Sequence, residues 1–235
     1  MLTTHELGAH RRVCFYTTPA DRLTPYTPPH ETPPLAERYS LSTKFAEASA
    51  ARYALWHLLG KPDDWTLERD AAGKLSSRAI APFISISHTN EPDHLAGNDA
   101  LRIISGAVTA DVPCGVDVQF LVEKIMRIGH RFVVAEEAQE LATLPESLLP
   151  TAYVLLWSAK EAIFKAHGRG QLPAHRNIIA FPTAAFLHNP AAELTFIGTA
   201  LPHNLPPEQY HVQSGLCAEN CRYAVCFREE LGSEL

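Results

Sequence analysis

Trp157-Ser158-Ala159-Lys160-Glu161-Ala162-Ile163-Phe164-Lys165-Ala166 reads as helix. Apolar residues recur at three- and four-residue spacing, and no Gly or Pro interrupts them. Pro150 suits a first helical turn and Gly168 a stop, which predicts a helix from about Pro150 to Gly168. Lys160, Glu161 and Lys165 sit inside this otherwise apolar run. Glu161 and Lys165 are four apart and share a face. Glu161 also lies one turn from Trp157 and near Phe164, so it stands on a half-buried face. A charge there is costly unless it is paired or holds a ligand. An intrahelical Glu–Lys ion pair and a ligand site both fit this run taken alone.

A second segment, Cys114-Gly115-Val116-Asp117-Val118-Gln119-Phe120, alternates apolar and polar residues as a half-buried strand does. The two-residue period puts Asp117 and Gln119 on one face and Val116, Val118 and Phe120 on the other. A carboxylate and an amide oxygen then project together toward where a partly buried Glu could meet them. Mg²⁺ favours such a site, taking one or two carboxylates, several waters and phosphate oxygens. Asp117, Glu161 and Gln119 are therefore the candidate metal ligands, with Mn²⁺ as the alternative ion.

Together the two segments resemble the paired motifs of the 4′-phosphopantetheinyl transferases, G-[IV]-D-[VIL] and [WF]-[SA]-x-K-E-[SA]-x-x-K. Further matches follow the family's order. Ile86-Ser87-His88-Thr89 is similar to its I-S-H-[ST], and Gly73-Lys74 to its G-K-P, with Leu75 in place of the Pro. Lys44 and Arg52 stand at the spacing of its N-terminal basic residues, and Arg131-Phe132-Val133-Val134-Ala135-Glu136-Glu137 resembles its R-F-[FV]-x-x-x-E. The length resembles the monomeric, Sfp-like group. That resemblance implies two similar α+β halves related by a pseudo-twofold axis, each a small antiparallel sheet packed on helices, with coenzyme A between them. Residues 1–114 would form the N-terminal half and 115–235 the C-terminal half with the metal and catalytic motifs.

Composition sets bounds. The 235 residues include 20 basic and 26 acidic ones, for a formal charge of −6. A general nucleic-acid binder would usually be basic, and an anionic ligand must here rely on a local basic patch. No run is long and apolar enough for a transmembrane helix, and Met1-Leu2-Thr3-Thr4-His5-Glu6 does not open a secretory signal. Five cysteines at irregular spacing read as reduced thiols in the cytoplasm.

Along the chain, strands are expected at Arg11 to Thr17, Phe83 to Ser87, Leu101 to Ala110, Leu194 to Gly198, Tyr210 to Gln213 and Tyr223 to Phe227. Helices are expected from Ser42 or Thr43 to about Leu59, from Leu121 to His130 and from Glu136 to Leu144. Thr24 to Pro34 is too rich in proline for regular structure. Hairpin-like connections outnumber βαβ patterns, which argues for an α+β fold.

The resemblance implies transfer of the 4′-phosphopantetheine arm of coenzyme A to a serine of an apo carrier protein, with release of 3′,5′-ADP. Asp117 and Glu161 would hold the ion, with Glu161 also the base. Lys160 and Lys165 would contact phosphate oxygens. His88, beside Ser87, resembles the ligand of the nucleotide 3′-phosphate, with Lys44, Arg52, Gly73 and Lys74 as further coenzyme A contacts. Many relatives carry Glu where this chain has Gln119, which supplies an oxygen but no charge. Lys124, Arg127 and Arg131 share one helical face and form a candidate docking stripe for an acidic carrier. Two other readings remain: another Mg²⁺-dependent enzyme of phosphate esters, or a non-catalytic module that binds coenzyme A or a carrier protein.

Overall fold

A computed structural model describes residues 1–8, 10–32, 34, 42–71, 74–77, 82–92, 101–168, 172, 175–190, 192–203 and 205–229. The chain divides into two compact units, Met1–Pro113 and Cys114–Leu235.

The first unit comprises β1 (Leu2–Glu6), β2 (Arg12–Pro19), β3 (His30–Thr32), α1 (Ser42–Leu58), β4 (Thr66–Arg69), β5 (Leu75–Ser76), β6 (Phe83–Asn90) and β7 (Arg102–Ala110). Among the described residues, an antiparallel sheet runs in the order β1-β2-β7-β6, and β3, β4 and β5 form a smaller one. Helix α1 packs across β2, β6 and β7. Leu55, Leu58, Trp65, Leu67 and Ile84 close the core. Ala48, Ala50, Ala51 and Ala54 are fully buried, so much of what α1 buries is small. Small residues let a helix sit close to a sheet but leave a faint apolar stripe in the sequence. The described residues of the proline-rich segment are irregular as expected, except that His30–Thr32 pairs in parallel with β4.

The second unit comprises β8 (Cys114–Phe120), α2 (Lys124–Arg127), α3 (Ala135–Leu141), α4 (Leu149–His167), β9 (Ile178–Ile179), α5 (Thr183–His188), β10 (Leu194–Ala200), β11 (Glu208–Ala218) and β12 (Cys221–Arg228). Its antiparallel sheet runs β8-β12-β11-β10-β9. The α+β reading holds in each unit. The expected helix from Leu121 to His130 is shorter: one α-turn, α2, then a 3₁₀ turn over Gly129–Arg131.

Helix α4 lies across β8 and β12, and Leu155, Leu156, Ala159 and Ile163 are buried beneath it with Val212, Ala224 and Cys226. Two glycines set how close it comes. A Cβ on Gly115 would stand 1.9 Å from the Ala162 carbonyl oxygen, and one on Gly198 would stand 2.4 Å from Ile163 Cδ1. The first contact is with helix backbone, which cannot turn aside as a side chain can. Gly115→Ala should therefore push α4 off β8 and lower the unfolding free energy by about 3 kcal/mol or more, beyond the usual range for an added methyl group in a packed core. A guanidinium titration measures it; a variant as stable as the parent chain would refute the close approach.

Candidate functional site

The site of the second unit starts from strand alternation. Asp117 pairs across the sheet with Ala224, and Gln119 with Arg222. Cross-strand partners share a face, so Asp117 and Gln119 stand on the face whose Ala224 packs in the α4 core, while Val116, Val118 and Phe120 are buried on the other. Asp117 is itself only 6% exposed. The close approach at Gly115 brings the last turns of α4 over it. Lys165 Nζ donates to Asp117 Oδ1 and to the Val116 carbonyl, both at 2.9 Å. Two of the three ammonium donors are thus used within the strand. The Gln119 amide donates to the Phe120 carbonyl at 3.4 Å.

Glu161 lies one turn before Lys165 on the same face of α4. Its side chain is 18% exposed, and His175 Nε2 comes within 2.8 Å of its Oε1. The imidazole is held between two rings: its centroid is 5.1 Å from that of Trp157 and 4.7 Å from that of Phe164, in near-parallel stacks. The half-buried face expected for Glu161 is therefore built from the expected Trp157 and Phe164 and from an unexpected histidine. Nothing in the sequence singles out His175 among twelve histidines, because it lies outside both motifs.

Lys160 goes elsewhere. It is five residues from Lys165, about 140° around a helix of 3.6 residues per turn, and so faces another side. It is fully buried, donating to Glu137 Oε2 and to the Phe132 carbonyl, both at 2.6 Å. Glu137 also accepts from the backbone N–H groups of Val134 and Ala180. Burial pushes the Lys160 amine below its ordinary pKa, against the pull of Glu137. The pair joins α4, the start of α3 and the strand region after β9. Glu137 is itself only 2% exposed and so does not stand on a solvated helix face.

In the first unit, Lys44 and His88 meet on one carboxylate. Glu47 Oε2 accepts from Lys44 Nζ at 2.8 Å and lies 3.1 Å from His88 Nδ1. Arg52, two turns on, does not flank the same point. It is 1% exposed, donating through Nε to Glu31 Oε2 at 2.6 Å, through Nη2 to Glu31 Oε1 and through Nη1 to the Ala48 carbonyl. Ser87 is buried on β6 beside His88. Lys74 Nζ lies over the Phe83 ring, 5.5 Å from its centroid, and Gly73 falls outside the described residues.

Asp117 and Glu161 offer carboxylate oxygens, hard donors that suit Mg²⁺. Among the described residues no group of three or more His, Cys, Asp and Glu side chains forms an ion cage. Mg²⁺ does not require one, since it commonly takes one or two carboxylates and fills its shell with water and substrate phosphate.

Residues 113–226, from the turn before β8 into β12, match the family model described as the 4′-phosphopantetheinyl transferase superfamily. Over those residues the chain is similar to the 4′-phosphopantetheinyl transferase superfamily. It is also 31% identical over 104 residues to the 4′-phosphopantetheinyl transferase psf-1 of Bacillus pumilus. That alignment covers 44% of this chain and 40% of the relative, so the chain spans about two fifths of the length of the curated relative it matches. The superfamily match includes the Asp117 strand, the α4 helix and the buried Lys160–Glu137 pair. Among the described residues no helix is long and apolar enough to cross a membrane.

The two lysines of α4 should separate by experiment. Lys160→Met leaves Glu137 buried without its cation and should cost about 3–5 kcal/mol of stability. Adding Glu137→Gln, which removes that charge but keeps an acceptor oxygen, should recover much of the loss. Urea titrations of the single and double variants test this; a Lys160→Met chain of unchanged stability would contradict it.

Proposed function

We propose that the protein transfers the 4′-phosphopantetheine arm of coenzyme A to a serine hydroxyl of an apo carrier protein and releases 3′,5′-ADP. The observation that carries the reading is the buried Asp117 carboxylate, bound to Lys165, on a strand that α4 crosses closely, with Glu161 one turn away. The serine oxygen forms a bond to the pantetheine phosphorus, the P–O bond to the nucleotide breaks, and the serine proton passes to Glu161. A carboxylate within reach of that hydroxyl is a competent base. Lys165 keeps one N–H beyond those given to Asp117 and Val116, and that donor meets a phosphate oxygen. Asp117 and Glu161 would hold Mg²⁺, with Gln119 as a further candidate ligand. When bound, the ion neutralises charge on the pyrophosphate.

His88 and Lys44 read the nucleotide 3′-phosphate in this scheme. Lys160 and Arg52 support the fold, which agrees with their full burial on Glu137 and Glu31. The setting is the cytoplasm. Lys124, Arg127 and Arg131 are exposed and offer a basic edge just after β8 to an acidic carrier. Reversing Lys124 and Arg127 to Glu should raise KM for the carrier at low salt and leave coenzyme A binding unchanged, because rim charges act mainly on encounter. An unchanged carrier KM would place docking elsewhere.

The decisive assay incubates the chain with fluorescent coenzyme A and an apo carrier, with and without EDTA. The expected result is a covalent fluorescent carrier whose formation EDTA abolishes. Asp117→Ala and Glu161→Ala should each lower turnover by orders of magnitude with folding retained. Labelling that persists at near-parent rate in either variant under saturating Mg²⁺ would refute the assignment, and no labelling of any apo carrier by the parent chain would refute the function.

A further inference from the structure

Glu47 is the unexpected member of the first unit's cluster. Its side chain is 2% exposed, and its Oε1 has no hydrogen-bond partner among the described residues. Burial by itself would raise the carboxyl pKa. Hydrogen bonds from His88 and Lys44 outweigh that and hold it below its ordinary value. Glu47 is therefore a carboxylate at neutral pH and can only accept. Its neighbour at 3.1 Å is His88 Nδ1, which must then carry a proton. A neutral imidazole has one N–H and one lone pair. With the proton fixed on Nδ1, Nε2 is left with the lone pair, which repels a phosphate oxygen. Only a second proton turns Nε2 into a donor. The ring is 23% exposed, so its outer edge can meet a ligand.

The surroundings of His88 bear on that second proton. From α1, Lys44 opposes a new positive charge and Glu47 favours it. Opposite His88 on β7 stands Ser105, which is uncharged, and β5 contributes Leu75 and Ser76, neither of which titrates. Glu47 is the one anion among these groups.

We propose that Glu47 is the positioning residue of His88: it fixes the proton on Nδ1, so that His88 meets the coenzyme A 3′-phosphate only as imidazolium and binding takes up a proton. The proton comes from the buffer and ends on His88 Nε2, where it is shared with a phosphate oxygen. The inference rests on the reading that His88 and Lys44 bind that phosphate. It assigns Glu47 no contact with the ligand.

Calorimetric titration of the full chain with coenzyme A and with dephospho-coenzyme A, in two buffers of different ionisation enthalpy at pH 8, tests it. At that pH a phosphate monoester is already the dianion, so it neither takes up nor releases a proton. The parent chain should take up about one more proton with coenzyme A than with the dephospho form. In Glu47→Gln the side-chain amide can donate to Nδ1, which moves the imidazole proton to Nε2 and makes it a neutral donor. The extra uptake should then vanish while the preference for coenzyme A survives. Equal proton uptake with the two ligands in the parent chain, despite unequal affinity, would overturn the inference alone. Equal affinity would overturn the 3′-phosphate reading and the inference with it. Should Glu47→Gln not fold, nitrogen-15 shifts of His88 in the ligand-free parent chain decide: a proton on Nδ1 supports the inference, and an Nε2-only tautomer overturns it.

Discussion

Gly115 has no Cβ, and the Ala162 carbonyl lies 1.9 Å from where one would stand. That contact sets the distance between strand β8 and helix α4, and the candidate site depends on it. Asp117 is two residues along the strand from Gly115 and therefore on the same face. Glu161 adjoins Ala162, and Lys165 is one turn further along the helix. A larger residue at position 115 would lift the helix and open the Lys165–Asp117 contact before changing any reactive group. The glycine of the G-V-D segment is thus a spacing device for the carboxylates.

The buried charges sort by exposure. Lys160 and Arg52 are removed from water, and each is neutralised by a buried glutamate and a backbone carbonyl. Such pairs cost so much when broken that they hold segments in register. Lys165 and Lys44 have side chains 14% and 53% exposed and paired with Asp117 and Glu47. They keep an edge toward solvent, where an anion can share them. The same residue types do structural work in one place and offer charge in another, and only their surroundings distinguish them.

Strand β8 and helix α4 were legible in the sequence because their periods are clean and Pro150 and Gly168 bracket the helix. The end of α1 was legible too, but its buried face was obscured by alanines that carry little hydrophobic signal. Strands β1, β4 and β5 escaped notice: β1 is a polar edge strand, and the others are too short to show a period. At the candidate site, sequence reading singled out the motif residues but not their partners. Glu31 lies in a proline-rich stretch read as irregular, Glu47 belongs to none of the matched motifs, and His175 sits outside both motifs. Each meets its partner only through tertiary packing, which local pattern does not encode.

The proposed chemistry requires that Asp117 and Glu161 share one ion. Crystals grown with coenzyme A and Mn²⁺, with data collected at the manganese absorption edge, test this most directly. The account predicts an anomalous peak within coordination distance of a carboxylate oxygen from each residue. Manganese bound with coenzyme A but away from either Asp117 or Glu161 would contradict it.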